Sequence, residues 1–149
     1  NQIKEVHYEV NQKSYFAIGF KNRSDGWELR SKYAKICLGK KDITLIDNQS
    51  TVLRIFEGFF DYLSFLQIEN NELKEDSDYL ILNSAALVTK NLVLLERYKT
   101  IELYLDNDET GEKYSNFIVS KFSNTLDFRG LYNNCKDLNE WLMKHCLKV

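Results

Sequence analysis

From residue 51 onward, short apolar runs alternate with longer segments whose apolar residues recur at helical spacing. The runs predict strands at 52–56, 79–82, 101–105 and 125–128. The segments that follow them predict helices at 58–68, 84–98 (with Ser84 as N-cap), 110–122 and 137–147. Strands that alternate with helices are typical of a parallel sheet with helices on both faces. We therefore expect an α/β fold with a parallel four-stranded sheet flanked by helices.

The residues before 51 follow a different pattern. Segments 15–20 and 27–30 have strand character, and the turn-forming Ser-Asp-Gly at 24–26 lies between them, which predicts an N-terminal β-hairpin. Segments 33–37 and 42–46 predict further short strands or an irregular edge. We expect one compact domain, with a basic β-rich extension at 1–50 and the core at 51–149. Because the chain begins without methionine, we expect it to be a piece of a longer protein.

Composition excludes several classes of protein. No apolar run approaches the roughly 20 residues that span a bilayer. The three cysteines, Cys37, Cys135 and Cys146, form no C-x-x-C pair, which argues against structural zinc and favours reduced thiols in a cytoplasmic protein. The net charge of −2 divides into +3 over residues 1–50 and −5 over 51–149. A basic front half could contact a polyanion, although charged runs are more often solvated faces.

Carboxylates follow two of the predicted strands. Glu57 and Asp61 come after the first strand, and Asp106 and Asp108 come after the third. Parallel α/β sheets carry their active sites outside the carboxyl ends of the strands, so Glu57, Asp106 and Asp108 could share one hard cation. Each cluster also has a simpler explanation, because Asp61 suits a helix N-terminus and Asp-Asn-Asp suits an ordinary turn.

The two motifs together are more specific than either alone. The chain carries E-G-F-F-D at 57–61 and, about fifty residues later, D-N-D-E-T-G at 106–111. In this it resembles the Toprim (topoisomerase–primase) family, and within it the bacterial, phage and mobile-element primase-like branch. The third acidic element of primases resembles K-D-L-N-E at 136–140, with Asp137 as its counterpart. The resemblance spans about residues 15–147, but the cysteine-rich zinc domain and the helicase module of such primases have no counterpart here.

The resemblance implies a Mg²⁺- or Mn²⁺-dependent nucleotidyltransferase that makes RNA primers on single-stranded DNA. Glu57, Asp106 and Asp108 would be catalytic and would hold the metal, while Asp61 and Asp137 would hold a second ion or orient its waters. The implied partners are single-stranded DNA, nucleoside triphosphates and a replicative helicase. Basic residues of the extension would bind template or nucleotide phosphates, and these are Lys21, Arg23, Arg30, Lys32 and Lys35.

Other functions remain open at this point. A Toprim nuclease would share the fold and the carboxylates but would hydrolyse phosphodiesters, with Glu57 as a candidate general base. A non-catalytic nucleic-acid-binding or partner-binding module would keep the acidic fold without the reaction. A phosphate-receiver domain would need a lysine near a later strand end, and no good candidate is present. The aromatic residues Tyr15, Phe16, Phe20 and Trp27 could stack on bases or could pack on the core.

Overall fold

The structure is a computed structural model that describes residues 3–69 and 77–145. The chain divides into two compact units, Asn1–Thr44 and Leu45–Val149. In the described part of the chain, no helix is both long and apolar enough to cross a bilayer.

The first unit is an antiparallel sheet of four strands in chain order. Its strands are β1 (Ile3–Val10), β2 (Lys13–Lys21), β3 (Trp27–Arg30) and β4 (Lys35–Leu38). The predicted hairpin is confirmed, since β2 and β3 pair antiparallel with Lys21 opposite Trp27. Asn11 and Gln12 form the two-residue connection from β1 to β2 and have φ angles of 50° and 62°, the left-handed conformation that tight hairpins with right-handed twist require.

The second unit is a five-stranded sheet in the order β5-β7-β6-β8-β9. Four of its strands form the predicted parallel sheet, because β6 pairs parallel with β7 and β8, and β8 pairs parallel with β9. The strands are β5 (Thr44–Ile46), β6 (Val52–Phe56), β7 (Asp78–Ile81), β8 (Thr100–Tyr104) and β9 (Thr125–Asp127). The helices are α1 (Phe59–Glu69), α2 (Leu92–Leu95), α3 (Glu109–Lys121) and α4 (Leu138–His145).

The prediction of one helix over 84–98 is wrong. A 3₁₀ helix at Ala85–Lys90 is followed by the single-turn α2, and Asn91 separates them with φ −122° and ψ 18°. The Asn91 side-chain amide donates to the Leu87 carbonyl oxygen at 2.8 Å, so a side chain occupies an acceptor that a continuing helix would use. Ser84 precedes the 3₁₀ helix but makes no side-chain capping bond. The last predicted helix is confirmed as α4, and Cys146, predicted on its inner face, lies outside the described residues.

Both faces of the parallel sheet are covered by apolar side chains. Phe56 and Ile81 are fully buried on one face, and so are five residues on the other face, Leu53, Ile55, Leu80, Ile101 and Leu103, as expected for strands enclosed on two sides. Aromatic side chains form one part of this core, in which the rings of Phe56 and Tyr104 on neighbouring strands stack at 5.2 Å. This packing fixes the carboxyl ends of β6 and β8 relative to each other.

A buried ion pair also joins β6 and β8. Arg54 lies opposite Glu102 in the strand register, and its Nε donates to Glu102 Oε2 at 2.8 Å. The side chains are only 9% and 14% exposed, and the Arg54 guanidinium lies 4.9 Å from the centre of the Phe65 ring. Removing one member would leave a poorly solvated charge in the core.

Glu102→Ala should therefore lower the free energy of unfolding by about 3 kcal/mol or more, because Arg54 would stay buried without this carboxylate. Urea denaturation measures the effect, and Glu9→Ala, an exposed change on β1, is the control. A loss of unfolding free energy below about 1 kcal/mol would show that the ion pair contributes little to stability.

Candidate functional site

The register of β6 and β8 brings two of the predicted motifs to one edge of the sheet. Phe56 lies opposite Tyr104 in this parallel pair. Glu57 follows β6 directly, and Asp106 comes two residues after β8. Both side chains therefore begin at adjacent carboxyl ends of parallel strands, the edge at which α/β sheets bind ligands.

Asp61 joins this edge from the first turn of α1. It is 6% exposed, and its Oδ1 accepts a hydrogen bond from the Asn139 backbone N–H at 3.1 Å. The Asn139 side-chain amide donates to Ser64 Oγ at 2.9 Å, so α1 and α4 are joined at two points. Asp61 thus caps the N-terminus of α4, whereas the sequence suggested that it stabilises the N-terminus of the helix in which it lies, α1.

Asp137 and Asp108 are helix caps as well. Asp137 Oδ1 accepts from the Glu140 backbone N–H at 2.7 Å at the start of α4. Asp108 is exposed, and its Oδ1 accepts from the Gly111 N–H at 2.9 Å at the start of α3. These bonds satisfy donors that a helix leaves free at its first turn, so each residue has a structural role independent of any ligand.

The carboxylates repel one another. Burial raises the pKa of Asp61 to about 8, helped by the negative charges of Asp137 and Asp106 and, less, of Glu57, while the Asn139 N–H bond opposes the shift. Burial also raises the pKa of Asp106 to about 7, with contributions from Glu57 and Asp137. Four predicted site residues, Glu57, Asp61, Asp106 and Asp137, therefore share one electrostatic environment, which we call the acidic cluster.

The donor chemistry of the acidic cluster fits a hard divalent cation, because its oxygens are carboxylates whose mutual repulsion a positive charge would relieve. Within residues 3–69 and 77–145, no three carboxylate, histidine or cysteine side chains converge closely enough to hold one ion. Lys136 supplies a positive charge beside the cluster, since its Nζ lies 3.8 Å from Asp106 Oδ2 and its side chain is largely exposed.

Asn107, which the sequence analysis passed over, fastens the loop after β8. Its side-chain Nδ2 donates to the carbonyl oxygens of Tyr132 at 2.9 Å and Cys135 at 3.1 Å, with a longer contact to Arg129 O at 3.4 Å. Its backbone N–H donates to Lys136 O. Asn107 thereby fixes the position of Asp106 relative to the segment that leads into Asp137. The sequence signal for this role was the position of Asn107 between two aspartates.

Three further residues support the same edge. Tyr132 is 1% exposed, its hydroxyl donates to Leu105 O at 2.9 Å, and burial with nearby Asp61 raises its pKa. Gly111 packs so closely on the Asp106 carbonyl that a Cβ there would overlap it. Asn83 follows β7, buried, with φ 59°, a conformation asparagine tolerates better than most residues. The sequence analysis did not predict the roles of Tyr132 and Asn83.

Asp108 also lines an open cleft of about 670 Å³ on the α3 side of the loop. Its lining is mainly acidic, and its arginine, Arg129, is bound by both carboxylate oxygens of Asp127 at 2.9–3.1 Å. The lining residues are Asn107, Asp108, Glu109, Glu112, Asp127, Arg129, Gly130 and Asn133.

The predicted phosphate-binding residues all lie in the first unit. Lys21 Nζ pairs with Asp25 at 2.6 Å, and the Arg23 guanidinium contacts the Asp42 carboxylate at 3.4 Å. The other three occupy separate positions: Arg30 ends β3 and donates to Leu29 O, Lys32 lies over the ring of Tyr33, and Lys35 begins β4.

The raised pKa of Asp61 predicts that the metal-free protein loses stability as pH rises. The folded state holds this proton up to about pH 8, whereas the unfolded chain releases it near its ordinary value of 3.8. Between these values the folded state binds more protons, so its free energy of unfolding falls with pH, by at most about 1.4 kcal/mol per unit for one group. Asp61→Asn should flatten this dependence in urea denaturation with EDTA. Glu9→Gln should leave the slope unchanged, and an equal slope in the Asp61 variant would contradict the assignment.

Asn107→Ala should lower the free energy of unfolding by about 1–3 kcal/mol, because buried carbonyl oxygens lose their donor. It should also weaken Mg²⁺ binding measured by calorimetry, since the loop that carries Asp106 would no longer be held. Asn133→Ala, exposed on the neighbouring segment, is the matched control. Unchanged stability and unchanged metal affinity together would reject this role.

Comparison with known proteins matches both units of the chain. A family model described as Toprim-like matches residues 54–142, and one described as Domain of unknown function (DUF8464) matches residues 1–39. No curated protein sequence is significantly similar to the chain.

Solved structures with a similar fold include two of bacteriophage T7. The primase fragment of the T7 primase-helicase protein is 17% identical with a TM-score of 0.63, over 94% of this chain and 62% of that one. A chain from the T7 lagging-strand DNA polymerase interacting with primase domains of two gp4 subunits, bound to an RNA/DNA hybrid and dTTP, is 15% identical with a TM-score of 0.60, over 94% and 76%. This chain thus spans less than two thirds of the primase fragment.

These likenesses confirm the predicted fold, an α/β Toprim-like sheet preceded by an antiparallel β extension. The Toprim-like match covers more than half of the chain and includes both acidic motifs and Asp137. The chain belongs to the Toprim-like family.

Proposed function

We propose that this chain is the catalytic domain of a primase-like protein, which transfers nucleotides on single-stranded DNA and thereby makes RNA primers. The acidic cluster carries the proposal. Its four carboxylates lie where α/β sheets bind ligands, and burial, together with their mutual repulsion, raises the pKa of two of them. A divalent cation would relieve this repulsion and stabilise the arrangement.

Glu57, Asp106 and Asp108 would hold Mg²⁺ or Mn²⁺, with Asp61 and Asp137 holding a second ion or orienting bound water. The metal, when bound, would supply charge neutralisation at the reacting phosphate and would activate the attacking hydroxyl. The caps described above prepare this site, because the backbone N–H groups of Asn139 and Glu140 each fix one carboxylate oxygen of Asp61 and Asp137. The other oxygen of each carboxylate remains for the ligand.

The protonation of the cluster fits this role. With a pKa of about 8, Asp61 is mostly protonated at neutral pH when no cation is present, whereas Asp106, with a pKa of about 7, is about half protonated. Binding of a cation would displace these protons, so metal affinity should rise with pH. Lys136, close to Asp106 and mostly exposed, can swing away without a large desolvation cost.

Residues 1–50 would form the extension that binds template or nucleotide phosphates, and residues 51–149 would form the catalytic core. Lys21 and Arg23 now pair with Asp25 and Asp42. The Lys21–Asp25 pair is exposed, and such pairs contribute little stability, so a phosphate group can replace Asp25 at low cost. Asp42 is only 15% exposed, whereas Arg23 is 51% exposed, so Arg23 would contact phosphate while it keeps Asp42. Arg30 and Lys35 lie on the face of the sheet opposite Lys21, so with Lys32 they would contact a different part of the polyanion.

The proposed partners follow from the fold. The T7 structures are described as a primase fragment of a primase-helicase protein and as primase domains bound to an RNA/DNA hybrid and dTTP. For this chain we propose single-stranded DNA and nucleoside triphosphates as substrates and a replicative helicase as partner. Cys37 and Cys135 are free thiols, in keeping with our proposal of a cytoplasmic location.

Primer synthesis tests the proposal directly. The protein, incubated with single-stranded DNA, labelled nucleoside triphosphates and Mg²⁺, should produce template-dependent oligoribonucleotides. Glu57→Gln and Asp106→Asn should abolish the product, while Glu9→Gln should retain it. Calorimetry on the same variants should show at least about tenfold weaker Mg²⁺ binding when a carboxylate is removed.

Two outcomes would contradict the proposal. Cleavage of the DNA that depends on Glu57 would assign the site to a nuclease. Metal binding without either product would make the domain a non-catalytic module.

A further inference from the structure

The hairpin of β1 and β2 separates its charges by face. The two strands pair from Ile3–Phe20 to Val10–Lys13, and paired residues lie on the same face while successive residues alternate. One face therefore has all three lysines of the hairpin strands, and the opposite face has both glutamates. We call the first the lysine–tyrosine face, and its defining residues are Lys4, Tyr8, Lys13, Tyr15 and Lys21.

Contacts confirm which residues share each face. Lys4 Nζ lies 5.9 Å from the centre of the Trp27 ring, and Trp27 pairs with Lys21 on the next strand. On the opposite face, His7 bonds Glu5 at 2.7 Å and lies 6.2 Å from the Phe16 ring. That face also has Glu9, Glu28 and Arg30, so its charges are mixed, whereas no carboxylate of β1–β3 lies on the lysine–tyrosine face.

An aromatic pair lies between the lysines. Tyr8 and Tyr15 are directly opposite each other, with ring centroids 5.6 Å apart and an interplanar angle of 23°. Tyr15 is 44% exposed, and Lys13 and Lys4 are exposed on either side of the pair. Because a strand rises about 3.3 Å per residue, the strip from Lys4 to Lys13 is about 20 Å long.

We propose that the lysine–tyrosine face binds single-stranded nucleic acid, with bases stacked on the Tyr8–Tyr15 pair and phosphates on Lys4, Lys13 and Lys21. The positive charge of Lys4 and Lys13 suits a polyanion, and partly exposed stacked rings suit unpaired bases. Lys21 pairs with Asp25 in the turn after β2, an exposed pair in which a phosphate can replace the carboxylate at low cost. A protein surface would be matched better by the opposite face, where both signs of charge accompany Phe16. The proposal takes its class of ligand, nucleic acid, from the proposed function, but binding at this face does not require the acidic cluster.

The test measures binding of the whole chain to labelled dT15, rU15 and an abasic oligonucleotide of equal length, in EDTA. Tyr8→Leu with Tyr15→Leu should weaken binding to dT15 or rU15 about tenfold and leave abasic binding unchanged, because only stacking is removed. Lys4→Gln with Lys13→Gln should weaken all three and lower the slope of log affinity against log salt by about 0.7 per lysine. The two base-bearing oligonucleotides distinguish DNA from RNA as the preferred ligand.

Phe16→Leu is the matched control, since Phe16 is 67% exposed on the opposite face. An equal loss in this variant, or no loss in the tyrosine and lysine variants, would overturn the proposal. Circular dichroism should verify that each variant keeps its sheet. The binding experiment contains EDTA and therefore does not depend on the metal site. Asp106→Asn should bind the oligonucleotides as well as the unchanged protein does, so the outcome here is independent of whether the catalytic proposal fails.

Discussion

The candidate site depends on the parallel pairing of β6 with β8. This pairing, held by the Phe56–Tyr104 stack and the buried Arg54–Glu102 ion pair, sets Glu57 and Asp106 at adjacent strand ends. A shift of one residue in register would turn the side chains of one strand to its other face and separate the two carboxylates. The packing of the core therefore also determines the geometry of the site.

A second constraint is the electrostatic repulsion within the acidic cluster. Helix N-termini offset part of it, because Asp61 and Asp137 both accept N–H groups at the start of α4, where the helix dipole favours negative charge. The offset is incomplete, because burial and the remaining repulsion still raise the pKa values of Asp61 and Asp106. The folded chain thus holds a cluster that is stable when partly protonated and would be more stable with a cation, which is the behaviour expected of a metal site before binding.

Sequence patterns predicted most of the fold and part of the site. Apolar runs located the four parallel strands, the two acidic motifs located Glu57 and Asp106 at one edge, and the resemblance to primases pointed to Asp137. The prediction of one helix over 84–98 was wrong. The apolar spacing there is helical, but the segment folds as a 3₁₀ helix that Asn91 separates from the short α2. Strand β1 was not predicted, although Val6, Tyr8 and Val10 alternate with His7 and Glu9, which is the pattern of a half-buried strand. The capping of α4 by Asp61 could not be predicted, since it joins residues 78 positions apart.

The central claim is that the acidic cluster binds a divalent metal, and an anomalous-scattering crystal structure with Mn²⁺ tests it most directly. Manganese has the same preference for oxygen ligands as magnesium, and its anomalous signal locates the ion independently of any assumption about ligands. The account predicts a Mn²⁺ peak between the carboxylates of Glu57 and Asp106. A map without a peak there at saturating Mn²⁺, or with manganese only at sites away from the acidic cluster, would contradict it.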